Sequence, residues 1–267
     1  MKRSAFAALV GTIGVLTVGV LAQSGLDPFG TRRRATGAPV APVFEGWEPN
    51  GDGTSSLYFG YQNRNWQEEV EIPVGPNNFF SPGPPDRGQP THFLVNRRKL
   101  LFSVVVPKDF GTQTLVWTLV SHGSTEMVPG KLSPILQIDT KKDEKNVAPG
   151  LTLGPEQTIM FPRPVTLTAA VTSGRVGGRA SRLTVTWAKY RGPGMVTFTE
   201  ATPPVKDGRA VTTATFSEPG LYVLHAFADE GSRGDAAQSG GIPGFLCCWT
   251  NARLTIVVKA SDRGGDK

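Results

Sequence analysis

The chain has 267 residues, with 28 Lys and Arg against 22 Asp and Glu, for a formal net charge of +6. The basic excess is thin, densest at residues 32–34, 97–99 and 141–142, and is not gathered among aromatic residues. That distribution fits solvated surface charge and argues against a nucleic-acid partner. The opening "MKRSAFAALVGTIGVLTVGVLAQSG" begins with Lys2 and Arg3, carries no charge over residues 5–22, and ends in small residues suited to cleavage. Residues 1–22 read as a signal peptide. Left uncleaved, the same run is just long enough to act as an anchor, the one membrane contact the sequence suggests. Residues 23–42, with Arg32, Arg33 and Arg34 among prolines and glycines, read as a flexible lead.

Strand-length runs follow. "SLYFGYQN" (56–63), "EEVEIPV" (68–74), "KLLFSVVVP" (99–107) and "TLVWTLVSH" (114–122) are rich in β-branched and aromatic residues. Turn chemistry separates them, at "PNGDG" (49–53), "GPNNFFSPGPPDRGQP" (75–90) and "PKDFG" (107–111). Residues 43–139 are therefore expected to form an antiparallel β-sandwich. The charged, then turn-forming stretch "DTKKDEKNVAPG" (139–150) opens an expected linker over residues 140–160.

From residue 164 the strand signal resumes in "VTLTAAVTS", "RLTVTWAKY", "GMVTFTEA", "AVTTATFS", "GLYVLHAFAD" and "ARLTIVVKA". Short strands at roughly ten-residue spacing predict a second sandwich over residues 161–260, with a disordered tail at 261–267. The expected class is all-β, two antiparallel β-sandwich domains after a signal segment. Strand alternation puts Leu183, Val185 and Trp187 on one face, so Trp187 belongs to the core, and Leu254, Ile256 and Val258 do the same for the last strand. In "EPGLYVL" a glycine turn precedes Tyr222, the pattern of a tyrosine corner.

The run from Trp187 through Gly192, Pro193, Gly194, Val196 and Phe198 to Phe216, Pro219, Gly220, Tyr222, Leu224, Ala226 and Asp229 resembles PKD-like and other Ig-like domains of surface proteins. The resemblance implies an Ig-like fold serving as a spacer or interaction module, and no activity. Leu224 stands two residues after Tyr222, where antibody-type domains place a disulfide cysteine. The first half, with "FEGWEPN", "FGYQNRNW" and "IPVGPNN", resembles secreted bacterial proteins, which implies no activity either.

The only cysteines, Cys247 and Cys248, are adjacent in "GFLCCWT". In a regular strand their side chains point to opposite faces, so a bond between them needs a strained turn. The sequence leaves open a vicinal disulfide, two buried thiols, intersubunit bridges and a metal site. The vicinal bond is the expectation, since export favours oxidation and no third cysteine is present. The pair closes "DEGSRGDAAQSGGIPGFLCCWTN" (229–251), longer than an ordinary hairpin and therefore a candidate functional loop. Phe245 and Trp249 flank the cysteines and make either an aromatic knob or a plug for the sandwich.

No catalytic motif is present: no Gly-x-Ser-x-Gly elbow, no His-Glu-x-x-His and no phosphate-cradling loop. Asp86, His92 and Ser81 share one Pro-rich stretch, which spacing alone does not make a site. No cofactor and no enzymatic activity are expected. The leading expectation is an exported binding or structural module facing a protein or polysaccharide partner. Two alternatives stay open: a carbohydrate-binding accessory using Trp47, Trp66, Phe79 and Phe80, and a redox protein using Cys247 and Cys248.

Overall fold

The computed structural model describes residues 34–138, 148–174, 183–230 and 249–261, all in strands, turns and one 3-10 turn at Pro134–Leu136. The signal segment, Phe245, Cys247, Cys248 and most of the last seven residues lie outside them. In the first half, β1 (Val40–Pro49), β2 (Ser55–Asn63) and β6 (Asn96–Val106) make one antiparallel sheet, with β2 central. β4 (Asn78–Ser81), β7 (Leu115–Ser121) and β8 (Ser124–Gly130) make the facing sheet, with β7 central. β3 (Val70–Glu71) and β5 (His92–Phe93) form a separate two-stranded ribbon.

Alternation builds this sandwich. Leu57, Phe59 and Tyr61 from β2 and Leu115, Trp117 and Leu119 from β7 are all buried between the sheets, with Phe80, Phe93 and Phe102. Gly60 interrupts the β2–β6 register, and a Cβ there would sit 2.1 Å from the Arg98 carbonyl oxygen, so the close approach needs glycine. β8 carries little apolar signal because Thr125, Met127 and Pro129 face solvent, and it escapes a reading by hydrophobicity.

The second half stacks two sheets. One runs β10 (Gln157–Met160), β17 (Trp249–Lys259), β16 (Gly220–Glu230), β12 (Leu183–Arg191); the other runs β13 (Val196–Phe198), β15 (Arg209–Phe216), β11 (Val165–Thr172), β9 (Gly150–Leu153), with β14 (Val205–Lys206) beside β15. All pairs are antiparallel except β10 with β17. Trp187, Tyr222, Leu224, Ile256 and Leu167 lie fully buried between the sheets. Tyr222 closes the corner: its hydroxyl donates to Glu218 O at 2.8 Å and accepts from Gly194 N at 3.2 Å. Gly192, at φ +146°, lies flat on that ring, where a Cβ would come within 2.2 Å.

Two boundaries differ from the sequence reading. β9 and β10 fall inside the expected 140–160 linker; they are short and half-buried on one side, so their pairing, not their composition, makes them strands. The end of the expected flexible lead is held as well: Arg34 N donates to Arg64 O, Trp66 N to Arg34 O, and Ala38 N to the buried Asn65 Oδ1 at 2.7 Å.

Candidate functional site

The first half packs against the outer face and outer edge of the β10-β17-β16-β12 sheet. Asn251 Nδ2 donates to Leu100 O at 3.2 Å and accepts, through Oδ1, a bond from His225 Nε2 at 2.7 Å. Arg253 lies 4.5 Å from the centroid of the Tyr190 ring, and Tyr190 is buried with the first core. The Tyr190 hydroxyl donates to Gly88 O at 2.6 Å, and Thr91 N donates to Tyr190 O at 3.0 Å. Arg191 grips Asp86 with both terminal nitrogens, at 2.9 and 2.8 Å, while its Nε donates to Gln89 O. This guanidinium holds the Asp86 carboxyl below its ordinary value. His225 is buried in the joint and stays neutral: burial first, then the Arg253 and Arg98 charges, pushes it down to about 4.

Beside the joint opens a cleft of about 360 Å³. The first half contributes Glu69, Glu71, His92, Leu94 and Arg98, alternate positions of the β3–β5 ribbon and the start of β6. The second contributes Thr186, Trp187, Ala188 and Lys189 from β12, and Met195, Val196, Phe198 and Ala201 around β13. Clefts at such junctions, with apolar walls and a few convergent polar groups, are where ligands bind. His92 is clamped on both sides, Nε2 2.9 Å from Glu69 Oε2 and Nδ1 2.7 Å from Glu71 Oε1. Burial opposes its charge, but the two carboxylates outweigh that and raise it above its ordinary value. Lys189, buried, pairs with Glu71 Oε1 across the joint and donates to Gly194 O at 2.8 Å. The Trp187 indole Nε1 is buried with no hydrogen-bond partner among the described residues.

The residues singled out from sequence are not brought together. Phe80 is buried and stacks on Trp117 at 5.7 Å between centroids, so it packs the core and presents nothing to a ligand. Phe79 points to the other face of β4 and is half-buried. Trp47 donates its Nε1 to Ser133 O, and Trp66 is half exposed on a separate turn. These four make no common platform. Ser81, Asp86 and His92 diverge likewise: Asp86 belongs to Arg191, and His92 to Glu69 and Glu71. Trp249 opens β17 opposite Asp229, half-buried. The cleft itself went unread in the sequence. Alternation in "EEVEIPV" does put Glu69 and Glu71 on one face, but nothing local joins them to Lys189.

This geometry defines the class: an all-β chain of antiparallel sheets around two apolar cores, with a charged cleft beside the place where they meet. No family model and no curated protein matches the chain in sequence. Among solved structures it is similar to domains 4 and 5 of the S-layer protein SbsC, at 10% identity over 83% of this chain and 98% of that one, with a TM-score of 0.28. It is also similar to the D0-D1 domain of Intimin, at 11% identity over 83% and 97%, with a TM-score of 0.29. Superposition at this level carries no argument about what the chain does.

Proposed function

We propose that the chain is an exported, non-catalytic structural or binding module that works at the cell surface or in the periplasm. It holds the connection between β16 and β17 toward a protein or polysaccharide partner. The observation that carries this reading is the joint. Arg191–Asp86, Tyr190–Gly88, Lys189–Glu71 and Asn251–Leu100 tie the sandwiches through side chains on the very sheet that launches that connection. A fixed platform of this kind lowers the ordering cost of presenting a loop to a partner. Export is supported by the opening basic-then-apolar segment of the sequence.

Replacing residues 232–247 by a short Gly-rich bridge in the full chain tests the reading. The shortened chain is expected to melt as the parent does and to lose retention on envelopes of the producing cell. Equal retention, or recovery of the native chain from the cytoplasmic fraction, overturns it.

A further inference from the structure

The cleft is bounded by two sheet edges. Thr186, Trp187, Ala188 and Lys189 are consecutive on β12, and all four line it. Successive strand side chains point to opposite faces, so four in a row line one cavity only when it runs along the strand's edge. β12 is the outer strand of its sheet and β13 the outer strand of the facing one. On β13, Thr199 N donates to Thr213 O and Ser217 N to Met195 O, which fixes the ladder. By antiparallel alternation Met195, Thr197 and Thr199 turn toward β15, and the N–H and C=O of Val196 and Phe198 point outward. On β12 the bond from Trp187 N to Ala201 O shows that the odd-numbered positions face the outside, and Lys189 is the next of them.

We propose that this cleft binds an extended peptide that pairs with the outward main-chain groups of Val196 and Phe198 and lays acidic side chains against Arg98 and Lys189. Outward groups on alternate residues recur every ~6.4–6.8 Å, the repeat of an extended polypeptide. The wall opposite β13 carries Arg98, Lys189 and His92 against the carboxylates Glu69 and Glu71, so one positive charge is in excess when His92 is protonated. The β13 side is apolar, with Met195 exposed and Phe198 half-buried. A strand paired with β13 turns its side chains alternately to the two sides of the hydrogen-bonding plane, so every second position is open to an acidic residue and the others to an apolar one. The unpartnered Trp187 Nε1 in the same lining is the sort of buried donor that an arriving acceptor satisfies.

The test titrates the full chain with a capped alternating Val-Asp octapeptide, followed by calorimetry and by amide NMR shifts at Val196 and Phe198. Controls are the Val-Lys octapeptide and two Val-Asp peptides N-methylated at every valine or at every aspartate. Val196→Pro removes one outward N–H and leaves the bonds to β15 intact, as edge strands allow. The expected result is saturable Val-Asp binding, weakened about tenfold or more by Val196→Pro and by one of the two N-methylations, the worth of one hydrogen bond. Arg98→Gln serves as the second variant if Val196→Pro fails to fold, again with about tenfold weaker binding expected. Absence of Val-Asp binding, equal binding by both N-methylated peptides, or tighter binding of Val-Lys overturns the proposal. None of these outcomes bears on the β16–β17 connection, whose test is retention of the shortened chain.

Discussion

Trp117, on the central strand of its sheet, and Trp187, on the outer strand of its own, are both fully buried in cores that are filled in opposite ways. Around Trp117 stand Phe102, Phe80, Phe59 and Phe93, with centroids at 5.1, 5.7, 6.1 and 6.4 Å. Trp117 Nε1 donates to Asn78 Oδ1 at 3.0 Å, and the fully buried Asn78 amide donates in turn to Ile72 O and Pro90 O. Trp187 shares its core with Ala169, Ala210, Ala214, Ala226 and Ala228, and its Nε1 has no partner among the described residues. The first core is a set of mutually supporting rings pinned by a polar network. The second sets one indole among alanines and aliphatic side chains, with the Phe216–Tyr222 pair at 4.6 Å as its other buried rings. Both solve the same problem, filling the roughly 10 Å between sheets, but they fail under different insults.

The largest expected effect is shared. Trp117→Ala and Trp187→Ala should each cost about 3–5 kcal/mol in denaturant melts, the range for deleting a buried aromatic side chain. A loss well under that for Trp117 alone would mean that its neighbouring rings collapse into the cavity, and the description of a pinned core would fail.

The joint between the cores sets the next effect, through two histidines of opposite sign. His225 titrates near 6.5 when unfolded and about 4 when folded, because burial and then Arg253 and Arg98 oppose its charge. Between those values the unfolded state binds more protons, so its contribution is complete above about pH 6.5 and is lost as the pH falls toward 4, some ~3 kcal/mol in all. His92 is raised instead, so its contribution is complete below about pH 6.5 and fades as the pH rises through the folded value. Glu69 and Asp86, both lowered, lose theirs only in more acid solution. Melts from pH 4 to 8 should show the acid slope above pH 4 flattened in His225→Gln. An unchanged slope would remove His225 as its source.

Tryptophan-to-phenylalanine replacement separates the cores more finely. Trp117→Phe strands the buried Asn78 Oδ1, while Trp187→Phe discards a donor that had no partner. An unsatisfied buried polar group costs about 1–3 kcal/mol, so the first change should be worse than the second by about 2 kcal/mol. Equal losses would show that Trp187 Nε1 meets an acceptor after all, water included.

Much of this was readable in the chain. Alternation around Trp187 and the glycine turn before Tyr222 specify a buried strand and a corner, and both depend on neighbours within a few residues. What escaped was whatever needed distant partners. Phe79 and Phe80 sit together in a Pro-rich run that reads as loop, yet pairing with β7 makes that run a strand and turns Phe80 inward. β9 and β10 are strands because β11 and β17 recruit them. The cleft joins Glu71 to Lys189, and the joint joins Asp86 to Arg191; no local pattern encodes either pair.

The smallest effect probes the space around the indole directly. Ala226 is fully buried and lies opposite Trp187 in the β12–β16 register, with Ala252 on its other side. Because Trp187 N turns away from β16, Trp187 and Ala226 form a non-hydrogen-bonded pair, the arrangement that brings side chains closest. Two methyl groups added at Ala226 must push the indole off its position or off its rotamer, which costs 1–3 kcal/mol in a well-packed core. Valine's preference for strands returns part of that, leaving a net loss of about 1 kcal/mol for Ala226→Val. Pairing the change with Trp187→Phe should cancel the loss, since the smaller ring vacates the space that the methyls need. Additive losses in the double mutant would show that the alanines do not shape the indole's pocket, and the contrast between the two cores would reduce to composition alone.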